Sequence, residues 1–210
     1  MRNSGAKYVV IVALLVSVVA LSLGFAAYSN TLSISASAAV GGDPNQFGVC
    51  FSKATNACTA GSVTATLSPA SGGPTAASAT IPSTDTTKIT GLNATFTNVG
   101  QSVTYSFKAY NHKNLTAYLN SVAIGTKTCT AASGTTQSYV NSACNGISIS
   151  VKVGNTTYSA SNTAISSHTL AVGASEDVVV TITYASGSAV ADGDFTVAFG
   201  DTVLTYGSAD

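Results

Sequence analysis

Apolar side chains recur at every second position in segment after segment of this chain, and that alternation limits its possible folds more than any other feature. Phe47, Val49 and Phe51 alternate, as do Val63, Ala65 and Leu67. Longer sets run through Val103, Tyr105, Phe107 and Ala109, and through Ile147, Ile149, Val151 and Val153. Val178, Val180, Ile182 and Tyr184 follow, then Phe195, Val197 and Phe199. A period of two places these side chains on one face of a strand. Turn-forming residues separate the sets: Ser71–Pro74, Asn98–Gly100, Gly154-Asn155 and Asp192-Gly193, the last read as a hairpin turn. Beyond the N-terminal apolar segment no 3.6-residue period is sustained. Many short strands with frequent turns predict an all-β protein, an antiparallel β-sandwich of jelly-roll type occupying residues 41–210. Residues 68–88, rich in Ser, Thr, Pro and Ala, read as a surface loop or weak edge.

Charge excludes several functions. Only 8% of the 210 residues are charged, and eight Lys and Arg balance eight Asp and Glu. No basic stripe is available for nucleic acid and no polybasic segment for anionic lipid. Ser and Thr make up more than a quarter of the chain, which suits half-solvated strands and tight turns.

The N-terminus follows the grammar of export. Arg2 and Lys7 precede an uncharged apolar run from Tyr8 to Tyr28. As a hydrophobic helix this run is long enough to span about 30 Å of hydrocarbon, so it serves either as a cleaved signal peptide or as a retained anchor. Gly24, Ala26 and Ala27 offer a cleavage point, and Ala36-Ser37-Ala38 a second. A prepilin-type cut after Gly5 would call for Glu where Val10 stands. Residues 1–27 are thus the export segment, the only part expected to meet a membrane, and the remainder is expected outside the cytoplasm. Without Arg2 and Lys7, six basic residues face eight acidic ones, a net charge of −2. Next comes a strand in 28–40, in which Leu32, Ile34, Ala36, Ala38 and Val40 alternate mostly with serine. Lying before the sandwich, it must pair with a distant strand of its own chain or with another molecule.

Four cysteines, Cys50, Cys58, Cys129 and Cys144, suit disulfides outside the cytoplasm. Local pairing, Cys50 with Cys58 and Cys129 with Cys144, is expected because each pair brackets a polar, turn-rich loop. Each bridge would contribute on the order of 2–3 kcal/mol. A zinc site would call for CxxC spacing or nearby histidines, and the sequence shows neither.

Three segments resemble the TasA/camelysin family of secreted bacterial matrix proteins. The first is Leu23-Gly24-Phe25-Ala26-Ala27-Tyr28-Ser29-Asn30, similar to the end of that family's signal peptide, with the cut implied between Ala27 and Tyr28. The second is Ile89–Leu92 together with Gly100–Asn111, and the third is His168–Glu176 running into Val178–Tyr184 and ending in the strand pair of Asp194–Tyr206. The cysteine-bearing segments depart from the family's cysteine-poor pattern. The resemblance implies a jelly-roll subunit that polymerises into extracellular fibres, the N-terminal strand of one subunit completing the sheet of the next. Independently, an alternating strand free to leave its own chain suits strand addition, and a contact that does not close on itself generates filaments.

No catalytic pattern accompanies these features, and neither an enzyme nor a cofactor is expected. Camelysin-like proteins have been classed as metallopeptidases, but zinc peptidase chemistry needs convergent ligands and a carboxylate base. The chain offers His112, read as a solvated loop residue, and His168, with the lone glutamate Glu176 eight residues further on and no motif linking them. No Gly-x-Ser-x-Gly elbow is present. Asp192 and Asp194 could contribute to a Ca²⁺ site, though a turn is the simpler reading. Asn93, Asn114 and Asn155 open sequons for N-glycosylation. The expected function is a secreted, self-associating structural subunit of extracellular fibres, cell-surface associated and stiffened by two disulfides. A membrane-anchored adhesin or binding module is the alternative, and a secreted hydrolase the third.

Overall fold

The computed structural model describes residues 29–33, 46–69, 71, 73–74, 76–200 and 202–208. The N-terminal apolar segment, the Ala27/Tyr28 cleavage point and Ile34, Ala36, Ala38 and Val40 lie outside the described residues.

The alternating segments become strands, all paired antiparallel. One layer is a six-stranded sheet ordered β11 (Thr156–Tyr158), β10 (Ile147–Val153), β13 (Ser175–Tyr184), β7 (Ser102–Asn111) and β2 (Val49–Ser52). Its sixth strand, β4 (Thr64–Ser68), shares the β2 edge of β7, opposite Ser102–Ser106, while β2 lies opposite Lys108–Asn111. The other layer has two parts. One is ordered β3 (Gly61–Ser62), β5 (Ala76–Ile81), β6 (Thr90–Phe96), β14 (Phe195–Phe199) and β9 (Lys127–Ala131). The second is ordered β1 (Ser29–Ser33), β15 (Val203–Ser208), β8 (Ala117–Ala123) and β12 (Thr169–Leu170). These parts are continuous in sequence, since β8 leads into β9 and β14 into β15. The joint is held by Gly200 N–H donating to the Thr126 carbonyl at 2.8 Å and Gly125 N–H to Thr202 Oγ1 at 3.3 Å.

The buried faces are the ones the alternation assigns. Val103, Tyr105, Phe107 and Ala109 on β7, Val178 to Tyr184 at alternate positions on β13, and Phe195, Val197 and Phe199 on β14 all enter one core. Tyr184 of one layer meets Phe195 of the other edge to face, with ring centroids 5.4 Å apart, and also approaches Phe96. Each such fully buried large side chain stabilises the fold by roughly 1.5–3 kcal/mol relative to leaving it exposed. An all-β, antiparallel sandwich is therefore the fold.

Three local readings change. Residues 68–88 contain β5, whose Ala79 and Ile81 are buried; a single apolar pair among small polar residues was too weak a signal to mark a strand. An α-helix, α1 (Gln137–Cys144), stands inside the loop bracketed by Cys129 and Cys144, burying Val140 and Ala143. Asp192-Gly193 is not a hairpin turn. It lies on the connection that carries the chain from β13 in one layer to β14 in the other. Gly193 serves close approach there, since a Cβ on it would lie 2.5 Å from Thr135 Oγ1. The hairpin between β10 and β11 does use its expected dipeptide, with Gly154 at φ 56° and Val153 opposite Thr156.

Candidate functional site: the β15 edge and its cross-layer clamp

β14 and β15, consecutive strands of the chain, have β9 and β8 respectively along one edge. Along the other edge β6 pairs with Phe195–Ala198, and β1 pairs with Val203–Gly207. The N-terminal strand thus fills the place that β6 leaves open beyond its end. The register sets Ser29 opposite Gly207, Asn30 opposite Tyr206, Thr31 opposite Thr205, Leu32 opposite Leu204 and Ser33 opposite Val203. Among the described residues, β1 is hydrogen-bonded to no other strand. A sheet edge presents backbone N–H and C=O groups to whichever strand of matching register lies against it.

Behind that edge, β15 turns Leu204 and Tyr206 into the core. Fully buried, the Tyr206 hydroxyl donates to Glu176 Oε1 at 2.8 Å, and Glu176 Oε2 lies 2.5 Å from His168 Nε2. Glu176 belongs to β13 in the facing layer. His168 precedes the edge strand β12 and is fixed by its carbonyl, which accepts Leu119 N–H at 3.0 Å. The three residues therefore tie the two layers together directly behind the paired strand. Burial, and then the Glu176 charge, push the Tyr206 phenol well above its ordinary range; burial also raises Tyr158 on β11, with a smaller contribution from Glu176. A Cβ at Gly154 would come 3.1 Å from Glu176 Oε2 and 3.3 Å from His168 Cε1, so this turn glycine also makes room for the pair.

Sequence reasoning left His168 and Glu176 unlinked, and the structure joins them. The available signal was parity. Glu176 has the same parity as Val178, Val180, Ile182 and Tyr184, so the chain's one glutamate was already aimed inward. The tyrosine of this cluster is sealed in the core. The Glu176 carboxylate is clamped between two hydrogen-bond partners.

Both disulfides form as expected, Cys50–Cys58 with Cα atoms 5.9 Å apart and Cys129–Cys144 with 6.0 Å. They fit an oxidising environment. The expectation that no histidine stands near a cysteine is overturned. Cys50 lies opposite Tyr110 in the β2–β7 register, and His112, two residues on and just past the end of β7, stands beside the Cys50–Cys58 bridge. His112 is exposed, as the sequence suggested. Asp192 takes the Thr136 N–H at 2.9 Å on its carboxylate, while the backbone carbonyl of Asp194 accepts from Ala132 N–H and the Thr135 hydroxyl. Among the described residues, Asp192 and Asp194 join no group of three side chains close enough to hold an ion. Asn114 and Asn155 are exposed, whereas Asn93 is half-buried and donates to Ser78 Oγ. Among the described residues, no helix is long and apolar enough to cross a membrane. Comparison with protein families, curated proteins and solved structures gave no match to the chain.

Proposed function

We propose that this chain is an exported structural subunit of extracellular fibres or surface matrix, similar in kind to TasA/camelysin proteins, that polymerises by donor-strand complementation. The observation that carries the reading is the slot on β15. A short N-terminal strand fills it along one edge only, at five consecutive positions, and the N-terminal strand of a second copy presents the same backbone. Exchange costs little, because the bonds made between chains replace those made within one. Since donor and acceptor are different surfaces, the contact propagates and does not close. Low charge helps, because few like charges oppose the approach of strand to edge, and two disulfides suit a protein working outside the cytoplasm.

The test uses the pair Thr31 and Thr205, which face each other across β1 and β15. In T31C/T205C protein, oxidation after assembly is expected to give a covalent ladder of chains on a denaturing gel, with fibres visible by electron microscopy. A cross-linked monomer alone, from samples that do contain fibres, would show that the strand stays in its own sandwich. N-terminal sequencing separates the alternative: Tyr28 as the first residue supports the fibre subunit, and an intact apolar segment supports an anchored adhesin.

A further inference from the structure

The Cys50–Cys58 bridge lies against a histidine. The ligand-capable atoms of Cys50, Cys58 and His112 all fall within 4.8 Å of one another. Cys58 and His112 are exposed, while Cys50 is buried at the strand. In a tetrahedral zinc site, with Zn–S near 2.3 Å and Zn–N near 2.0 Å, donor atoms stand about 3.3–3.8 Å apart. Little movement separates the observed cluster from that geometry once the two sulfurs are no longer bonded to each other.

Hydrogen bonds hold the loop in addition to the disulfide. Buried Ser52 accepts two N–H groups on its hydroxyl, from Ala54 and Thr59, each at 3.0 Å. Lys53 N–H also donates to the Thr59 carbonyl at 3.0 Å, next to Cys58. At the loop tip, Asn56 N–H is held by Ser175 Oγ at 2.9 Å. His112 is fixed by its own N–H, which donates to the Gly48 carbonyl at 3.1 Å. Gly48 leaves room for the ring, since a Cβ there would lie 2.8 Å from Nε2.

We propose that Cys50, Cys58 and His112 form a redox-gated site for one Zn²⁺-class cation, loaded when the two thiols are reduced and emptied when the disulfide forms. This inference is independent of fibre assembly. Two thiolates and a neutral imidazole supply three ligands, and water completes the tetrahedron. Release is driven by a small-molecule disulfide as oxidant. The Cys50–Cys58 bond forms, the oxidant's S–S bond breaks, and its two sulfurs take two protons from solvent to become thiols, while the cation leaves. A chain made in a reducing compartment and matured in an oxidising one would pass through both states. The second pair, Cys129 and Cys144, joins no such cluster with a histidine among the described residues.

The experiment titrates Co²⁺, a spectroscopic stand-in for Zn²⁺, into the full chain in mild detergent, oxidised and then reduced with a phosphine. The reduced chain is expected to show tetrahedral Co²⁺ bands with thiolate charge transfer, saturating at one cation that Zn²⁺ displaces; the oxidised chain is expected to show none. H112N should weaken binding by about tenfold or more, and a disulfide oxidant should release the cation. Absence of binding to the reduced chain, or equal affinity in H112N, overturns the proposal. If H112N fails to fold, the imidazole NMR signals of the wild type decide, since the chain has only two histidines. One imidazole must shift when Zn²⁺ is added to the reduced chain and neither in the oxidised chain; no shift in the reduced chain overturns the site.

Discussion

The clamp behind β15 places an unusual weight on one carboxylate. Glu176 accepts from a tyrosine that is completely buried and pairs with His168, and both partners belong to the facing layer. Tyr206→Phe removes the donor and leaves the carboxylate with one fewer partner at a largely buried position, which costs about 1–3 kcal/mol. Urea denaturation is expected to show a lowered midpoint with an unchanged slope, and a wild-type midpoint would mean the clamp holds nothing. Tyr105 offers a second residue-scale test. Burial pushes its phenol up to about 12, and its hydroxyl donates to the Asn93 carbonyl. The folded-state value lies above the ordinary value near 10, so this contribution to stability is complete below about pH 10 and is lost as pH rises through 12. Ultraviolet titration of tyrosinate should therefore show a late-ionising group near pH 12 that Tyr105→Phe removes. Neither arrangement could be read in advance. Parity marked Glu176 and Tyr105 as inward-facing, but which partner meets an inward polar group depends on how the layers stack, and no local pattern encodes that.

At the scale of elements, the helix α1 shows why a sound sequence pattern can miss a segment. Its eight residues make little more than two turns, too few for a 3.6-residue period to stand out and too few for a helix to be stable alone. Its stability is borrowed. Cys144, its last residue, is tied to Cys129 on β9, and Gln137, its first, donates to the Cys129 carbonyl at 3.1 Å. The helix has no basic residue in its last turn. Lys127 of β9 supplies the missing cation, its Nζ donating to the carbonyls of Cys144 at 2.5 Å and Ile147 at 2.7 Å, where a positive charge favours the helix dipole. Removing the bridge by Cys129→Ser with Cys144→Ser is expected to cost about 3 kcal/mol. Hydrogen exchange should then speed up in residues 137–144 well before it does in β7 or β13. Uniform acceleration through the sandwich would show that the helix is integral to the core. The bridge itself was legible, because its spacing brackets a polar loop, whereas the helix it anchors was not.

For the whole molecule, the alternation specified two packed layers and the identity of the buried faces, but not the order of strands. That order creates the slot, since β6 covers the edge of β14 and leaves the same edge of β15 to β1. The slot makes a prediction about fibre growth. If each subunit contributes one donor strand and one acceptor edge, a free donor strand occupies an acceptor without offering a new one, and so terminates growth. A synthetic peptide of residues 28–40, added in excess during assembly, should therefore shorten fibres in proportion to its concentration, as measured by electron microscopy and sedimentation. The effect should depend on register, because a shift of one residue turns every side chain to the opposite face. A peptide with Leu32, Ile34 and Val40 replaced by serine keeps the backbone but loses the three large apolar members of the alternating set, and should leave fibre length unchanged. Equal shortening by both peptides would point to edge blocking without side-chain selection. Fibres indifferent to either peptide would mean that they grow through a different surface, leaving the β15 edge permanently closed by its own chain.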